Sequence, residues 1–215
     1  MFINLLNDKL YRYDRFIKFG SDKVDFILAS ASPRRQELLK NVIKSFSVVK
    51  SNFNEDEILF NGDPTSYVKE IAKGKALDVY SMLDNKQNKV IISCDTIVFA
   101  KNKVLGKPKD EQEAFYMIEM LSGEVHEVYS GITVYNTLTG DLVQECECTK
   151  VKFMNLSKEE IDMYIEKGES LDKAGAYGIQ GAASIFVEEI QGCYYNVVGL
   201  PLNKLYNVLK EIRVI

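Results

Sequence analysis

Residues 24–43 read VDFILASASPRRQELLKNVI. The run VDFILAS is short, apolar and carries β-branched residues, as a buried strand does. Ser32 then suits a helix cap and Pro33 a first helical position, and Leu38, Leu39 and Val42 fall on one stripe. Strand, tight turn and helix in one short stretch is the repeating unit of an α/β fold. Two adjacent arginines at that helix start raise the expectation of a negatively charged ligand. The hydroxyls of Ser30 and Ser32, main-chain N–H groups and the guanidiniums of Arg34 and Arg35 would converge where the helix dipole is positive. A capped helix with two solvated arginines is the alternative.

Working outward, residues 45–51 form a second strand, followed by an acidic polar loop, NFNEDEILFNGD, residues 52–63. Asp63 and Pro64 open a long helix whose charged side carries Lys69, Lys73 and Lys75, although Gly74 costs it about 1 kcal/mol relative to alanine. Residues 88–100, NKVIISCDTIVFA, form an apolar strand with an aspartate in its middle. Desolvating an unpaired carboxylate is costly, so Asp95 must face an opening, a cation or a donor. Residues 101–110 supply a turn with Gly106, Lys107 and Pro108, and residues 111–123 an amphipathic helix ending at Gly123. The alternating runs 124–136 and 142–155 flank TLTGD as an antiparallel hairpin. Ser157 and Glu160 spell a capping box. Two short strands are expected around a turn at 190–192, and Pro201 opens the last helix. Crossover helices together with a hairpin imply α/β with a mixed β-sheet and flanking helices.

The 215 residues, 46% hydrophobic and 27% charged, suit one domain of one or two lobes. A net charge of -4 provides no global basic field, so neither nucleic acid nor an anionic membrane is an expected partner. No apolar run approaches the roughly 18 residues of a membrane span, and the first residues lack a signal-peptide core, so the expected location is cytoplasmic. Four cysteines are too few for a disulfide framework, and Cys146 and Cys148 should share one strand face. A single histidine, His126, excludes a zinc site needing several imidazoles; in its alternating strand it reads as structural.

Taken in order, LASASPRRQELL, SCDTIV, LGKPKD, LSGEVHEVYSG, DKAGAYGIQG and NVVGLPL resemble the Maf family of nucleoside triphosphate pyrophosphatases. The resemblance runs from about Phe26 to the last helix. It divides the chain into an N-terminal extension, 1–22, and a pyrophosphatase domain, 23–215. Leu5, Leu6, Leu10, Tyr11 and Tyr13 would give the extension an amphipathic helix. The resemblance implies an inosine triphosphate pyrophosphatase-like fold, with two lobes around a cleft that binds a nucleoside triphosphate, and a homodimer. It also implies cleavage between the α and β phosphates with a divalent metal cation, Mg2+ or Mn2+.

Carried over by position, the resemblance makes Asp95 the general base and a metal ligand. Glu55 becomes a second metal ligand, with the adjoining carboxylates of Asp56 and Glu57 as the alternatives. Lys75 and Lys107 become phosphate-side contacts, beside Ser30, Ser32 and Arg35 of the anion site at the first helix start. Cys94 replaces the small residue usual before the aspartate. Arg34, Thr96 and Gln180 match the subgroup acting on thymidine and uridine triphosphates, in contrast to the one favouring 7-methylguanosine triphosphate. A nucleotide-binding regulator and a phosphatase that removes only the terminal phosphate are the competing readings; product identification separates all three.

Overall fold

The computed structural model describes residues 24–215; the helix expected in the extension lies outside them. Strand β1 (Asp25–Leu28) leads through Ser30 and Ser32 into helix α1 (Pro33–Leu39), as the opening stretch dictates. Strand β2 is short (Ser47–Val48), and Glu55–Glu57 form a 3-10 turn in the acidic loop. Helix α2 (Pro64–Met82) starts where expected, with the Asp63 carboxylate accepting from the amides of Thr65 and Ser66 at 3.0 and 3.1 Å. Next come β3 (Lys89–Ala100), β4 (Lys103–Leu105), helix α3 (Glu111–Leu121) and the long hairpin β5 (Val125–Asn136) and β6 (Leu142–Phe153). Helix α4 (Lys158–Ile165) carries the expected capping box of Ser157 and Glu160. Strand β7 (Val187–Gln191), helix α5 (Tyr194–Val198) and helix α6 (Leu202–Glu211) complete the chain.

Three local expectations are corrected. Residues 103–105 pair with β3 as a strand instead of forming a simple turn. Of the two strands expected around 190–192 only β7 forms. Gly192 takes a φ of +131° and the Cys193 amide donates to Thr149 Oγ1 at 3.1 Å, which turns the chain inward to begin α5. Pro201 is the cap residue before α6, not its first turn.

Among the described residues seven strands make one mixed sheet, in the order β2-β1-β3-β5-β6-β7 with β4 on the edge of β3. Pairing is parallel for β1 with β2 and β3, and antiparallel elsewhere. Side chains alternate along β3. Ile91, Ser93 and Asp95 face α2, with the Ser93 hydroxyl donating to the Ala72 carbonyl at 2.6 Å. Ile92 and Cys94 face α1 and α6, while Val98 and Ala100 on that same side face α3 and α4.

Two apolar cores therefore share one face of the sheet, and a polar seam divides them. Thr96 Oγ1 lies 2.8 Å from Ser130 Oγ, and the buried Asn196 amide donates to Thr149 Oγ1 at 3.0 Å and to the Val128 carbonyl at 2.9 Å. These are the two lobes, joined by the long strands β3, β5 and β6. No helix among the described residues is long and apolar enough to cross a membrane.

Candidate active site

The site lies where the sheet is interrupted. Strand β1 accompanies β3 only as far as Leu28 opposite Ile92, and β4 takes up the same edge only from Leu105 opposite Val98. Between them, residues 93–97 of β3 have no strand on that side among the described residues. Backbone groups alternate along a strand as side chains do, so Cys94 and Thr96 turn their main-chain polar groups toward this gap. Asp95 and Thr96 stand at its centre, one addressed to each face of the sheet.

On the α2 face, Asp95 is buried (6% exposed) and its carboxylate meets the Lys75 ammonium at 2.7 Å. The same ammonium holds Glu55 Oε1 at 2.8 Å. A cation answers the cost of the carboxylate in an apolar strand, and it comes from the helix on which the sequence placed a row of lysines. Glu55 stays half exposed, so its oxygens remain open to solvent. Tyr67, one face of α2 away, has its phenol pKa raised, first by burial and then by the negative charges of Asp95, Glu55 and Asp56. Negative charge on this side is thus concentrated around one ammonium.

On the other face, Arg35 spans the gap. Its Nη2 donates to Thr96 Oγ1 at 3.0 Å, Nη1 to Ser30 Oγ at 3.3 Å and Nε to the Gly199 carbonyl at 2.8 Å. The planar guanidinium fork suits three fixed acceptors as an ammonium could not. Ser32 Oγ accepts from the Arg35 amide at 3.5 Å, and the Ser32 amide donates to Ser30 Oγ at 3.3 Å. With only seven residues in α1, positive charge here comes mainly from side chains. Arg34 turns instead toward Asp172, 3.2 Å away and mostly exposed. Lys107 and Gln180 are exposed and are not part of either cluster.

Glu55, Lys75 and Asp95 thus come together on one side, and Ser30, Ser32, Arg35 and Thr96 on the other. Sequence reasoning missed Tyr67, Ser130 and the Gly199 carbonyl. Ser130 becomes visible only when the hairpin register places it beside Thr96, and the other two carry no sequence signal. Among the described residues no group of three or more His, Cys, Asp or Glu gathers as a metal site. Two carboxylates sharing one cation are nevertheless hard oxygen donors of the kind Mg2+ takes beside phosphate and water, so Glu55 and Asp95 fit such an ion.

The family model described as Maf-like protein matches residues 25–212. A dTTP/UTP pyrophosphatase of Clostridium beijerinckii is 56% identical over 187 residues, covering 87% of this chain and 98% of its own. One of Clostridium tetani is 52% identical over 191 residues, covering 89% and 99%. Among solved structures, a HAM1 protein from Coxiella burnetii aligns with 88% of this chain and 100% of its own at 11% identity, with a TM-score of 0.44.

Proposed function

This chain belongs to the Maf-like family, and from that premise we propose that it hydrolyses dTTP and UTP to the nucleoside monophosphate and pyrophosphate, clearing excess or non-canonical nucleotides. The observation that carries the reading is the paired Asp95 and Glu55 on Lys75 at the gap in the sheet, with Arg35 and Thr96 on its other side. On this reading the phosphates lie among the cations and the nucleoside among the neutral polar groups.

In the mechanism we propose, Arg35, Ser30 and Ser32 bind phosphate oxygens, and the exposed Lys107, two residues past β4, contacts the chain of phosphates. Lys75 stabilises charge developing on the phosphoryl oxygens. The Asp95 carboxylate accepts the proton of the attacking water at the α–β bond. Glu55 and Asp95 would hold a divalent cation, Mg2+ or Mn2+, which when bound neutralises part of the triphosphate charge. Gln180 reads the base: its amide can donate to a pyrimidine carbonyl and accept from the ring N3–H. The reading carries with it a homodimer acting in the cytoplasm, which light scattering and fractionation test.

Incubation with dTTP and Mg2+ followed by product identification decides the reaction. Thymidine monophosphate with pyrophosphate is expected; diphosphate with orthophosphate would overturn the assignment. In the same assay dTTP and UTP should exceed 7-methylguanosine triphosphate in kcat/KM by about tenfold or more, because the Gln180 amide matches the donor and acceptor of a pyrimidine edge and not those of the methylated purine.

A further inference from the structure

Gly74 is a poor residue for the middle of a 19-residue helix, yet it sits immediately before Lys75. A Cβ at position 74 would overlap three atoms of the Phe53 ring. The ring lies flat against bare helix backbone, two residues before Glu55 in the chain. The start of this loop is tied to the same helix at a second point. Asp78 Oδ2 accepts from Ser51 Oγ and from the Asn52 amide, both at 2.7 Å, and Ser51 Oγ in turn accepts from the Phe53 amide at 3.0 Å. Its far end is held by Phe60, edge-on to Tyr67 at 5.5 Å between ring centroids and 5.9 Å from Phe99. Between these anchors Glu55 is exposed and reaches Lys75 at 2.8 Å from a 3-10 turn.

We propose that Gly74 and Phe53 are positioning residues for the reaction: the ring seated on the glycine fixes where the loop delivers Glu55, and so sets the carboxylate pair across Lys75. The inference rests on the reading of Glu55 as part of the active centre. The glycine's weakness as a helix former is then the condition for the seat. The overlap is with the far end of a side chain, so alanine at 74 displaces the ring and the loop while leaving the helix intact.

The test measures kcat, KM for dTTP, the half-saturating Mg2+ concentration and the melting temperature for Gly74→Ala, Phe53→Ala and Gly74→Ala/Phe53→Leu, each with Glu55 and with Glu55→Gln. Gly74→Ala should melt close to wild type, because alanine's helix gain of about 1 kcal/mol offsets the displacement of the ring. Its kcat should fall by about tenfold to 100-fold, the usual penalty for misplacing a working group by about 1 Å, with KM changed less than about twofold. More Mg2+ should be needed. Phe53→Ala, which empties the seat instead of crowding it, should give the same split, and Phe53→Leu should rescue Gly74→Ala by making room. With Glu55→Gln the losses should vanish, because nothing remains to be positioned. Wild-type kcat in both single variants, or losses that multiply undiminished on Glu55→Gln, would overturn the inference. A fully active Glu55→Gln overturns it too, while pyrophosphate release by the wild type still upholds the pyrophosphatase reading.

Discussion

Asp95 occupies a position where a strand interior ordinarily carries valine or isoleucine, with Ile97 and Ser93 as its neighbours on that side of β3. Lys75 resolves the conflict at 2.7 Å while being only 12% exposed itself, so the pair is largely withdrawn from water. Removing one partner of such a pair leaves the other charge uncompensated. Lys75 keeps Glu55, however, and Asp95→Asn preserves shape. We expect this variant to fold and bind dTTP while its kcat drops by about 100-fold or more, the range for loss of a general base. Near wild-type turnover would remove Asp95 from the mechanism. At this scale the sequence was informative: an aspartate in an apolar run is visible without a structure. Tyr67, Phe53 and Ser130 were not, because each matters only through what folds against it.

Among the elements, helix α2 organises one whole side of the site, supplying Lys75, the Phe53 seat and the Asp78 tether. Its height above the sheet is set by Gly131, the register partner of Asp95 on β5. A Cβ there would strike the Val68 carbonyl and the Lys69 amide nitrogen of the helix backbone, which no rotamer change can relieve. Gly131→Ala should therefore lift α2, costing about 1–3 kcal/mol by overpacking and lowering kcat along with stability. Urea titration and steady-state kinetics on the same preparation check both; an unchanged unfolding midpoint would show that α2 does not bear on this strand. Strand, helix and hairpin were legible because their periodicities and caps are local, from Ser32–Pro33 to Ser157–Glu160. Strand β4 and helix α5 were not. Residues 103–105 form a strand only because β3 offers a vacant edge, and α5 begins only because Thr149 receives the Cys193 amide.

For the molecule as a whole, His126 ties stability to pH. It is buried between Phe153 and Tyr177, with Nε2 2.8 Å from the Tyr177 hydroxyl, and Nδ1 has no hydrogen-bond partner among the described residues. Burial lowers its pKa from 6.5 to about 4. The unfolded chain thus takes up a proton between pH 6.5 and about 4 that the native state refuses. The contribution is complete above pH 6.5 and is lost as pH falls toward 4, amounting to about 3 kcal/mol at about 1.36 kcal/mol per pKa unit. His126→Gln, which keeps a polar partner for Tyr177 without titrating, should flatten the fall in unfolding free energy across that window. An unaltered pH profile would assign the fall to other groups.

The interruption between β1 and β4 has a kinetic consequence if the proposed reading of the site holds. A triphosphate held by Lys75 on one side of the sheet and by Arg35 on the other would cross the plane of the sheet, and scission would leave its two fragments on opposite sides. Neither fragment would then stand in the other's exit, and departure would follow no obligatory order. Thymidine monophosphate and pyrophosphate added together should then inhibit independently, giving intersecting lines when reciprocal rate is plotted against one at several levels of the other. Parallel lines, the mark of mutual exclusion, would mean that both fragments leave by a single door.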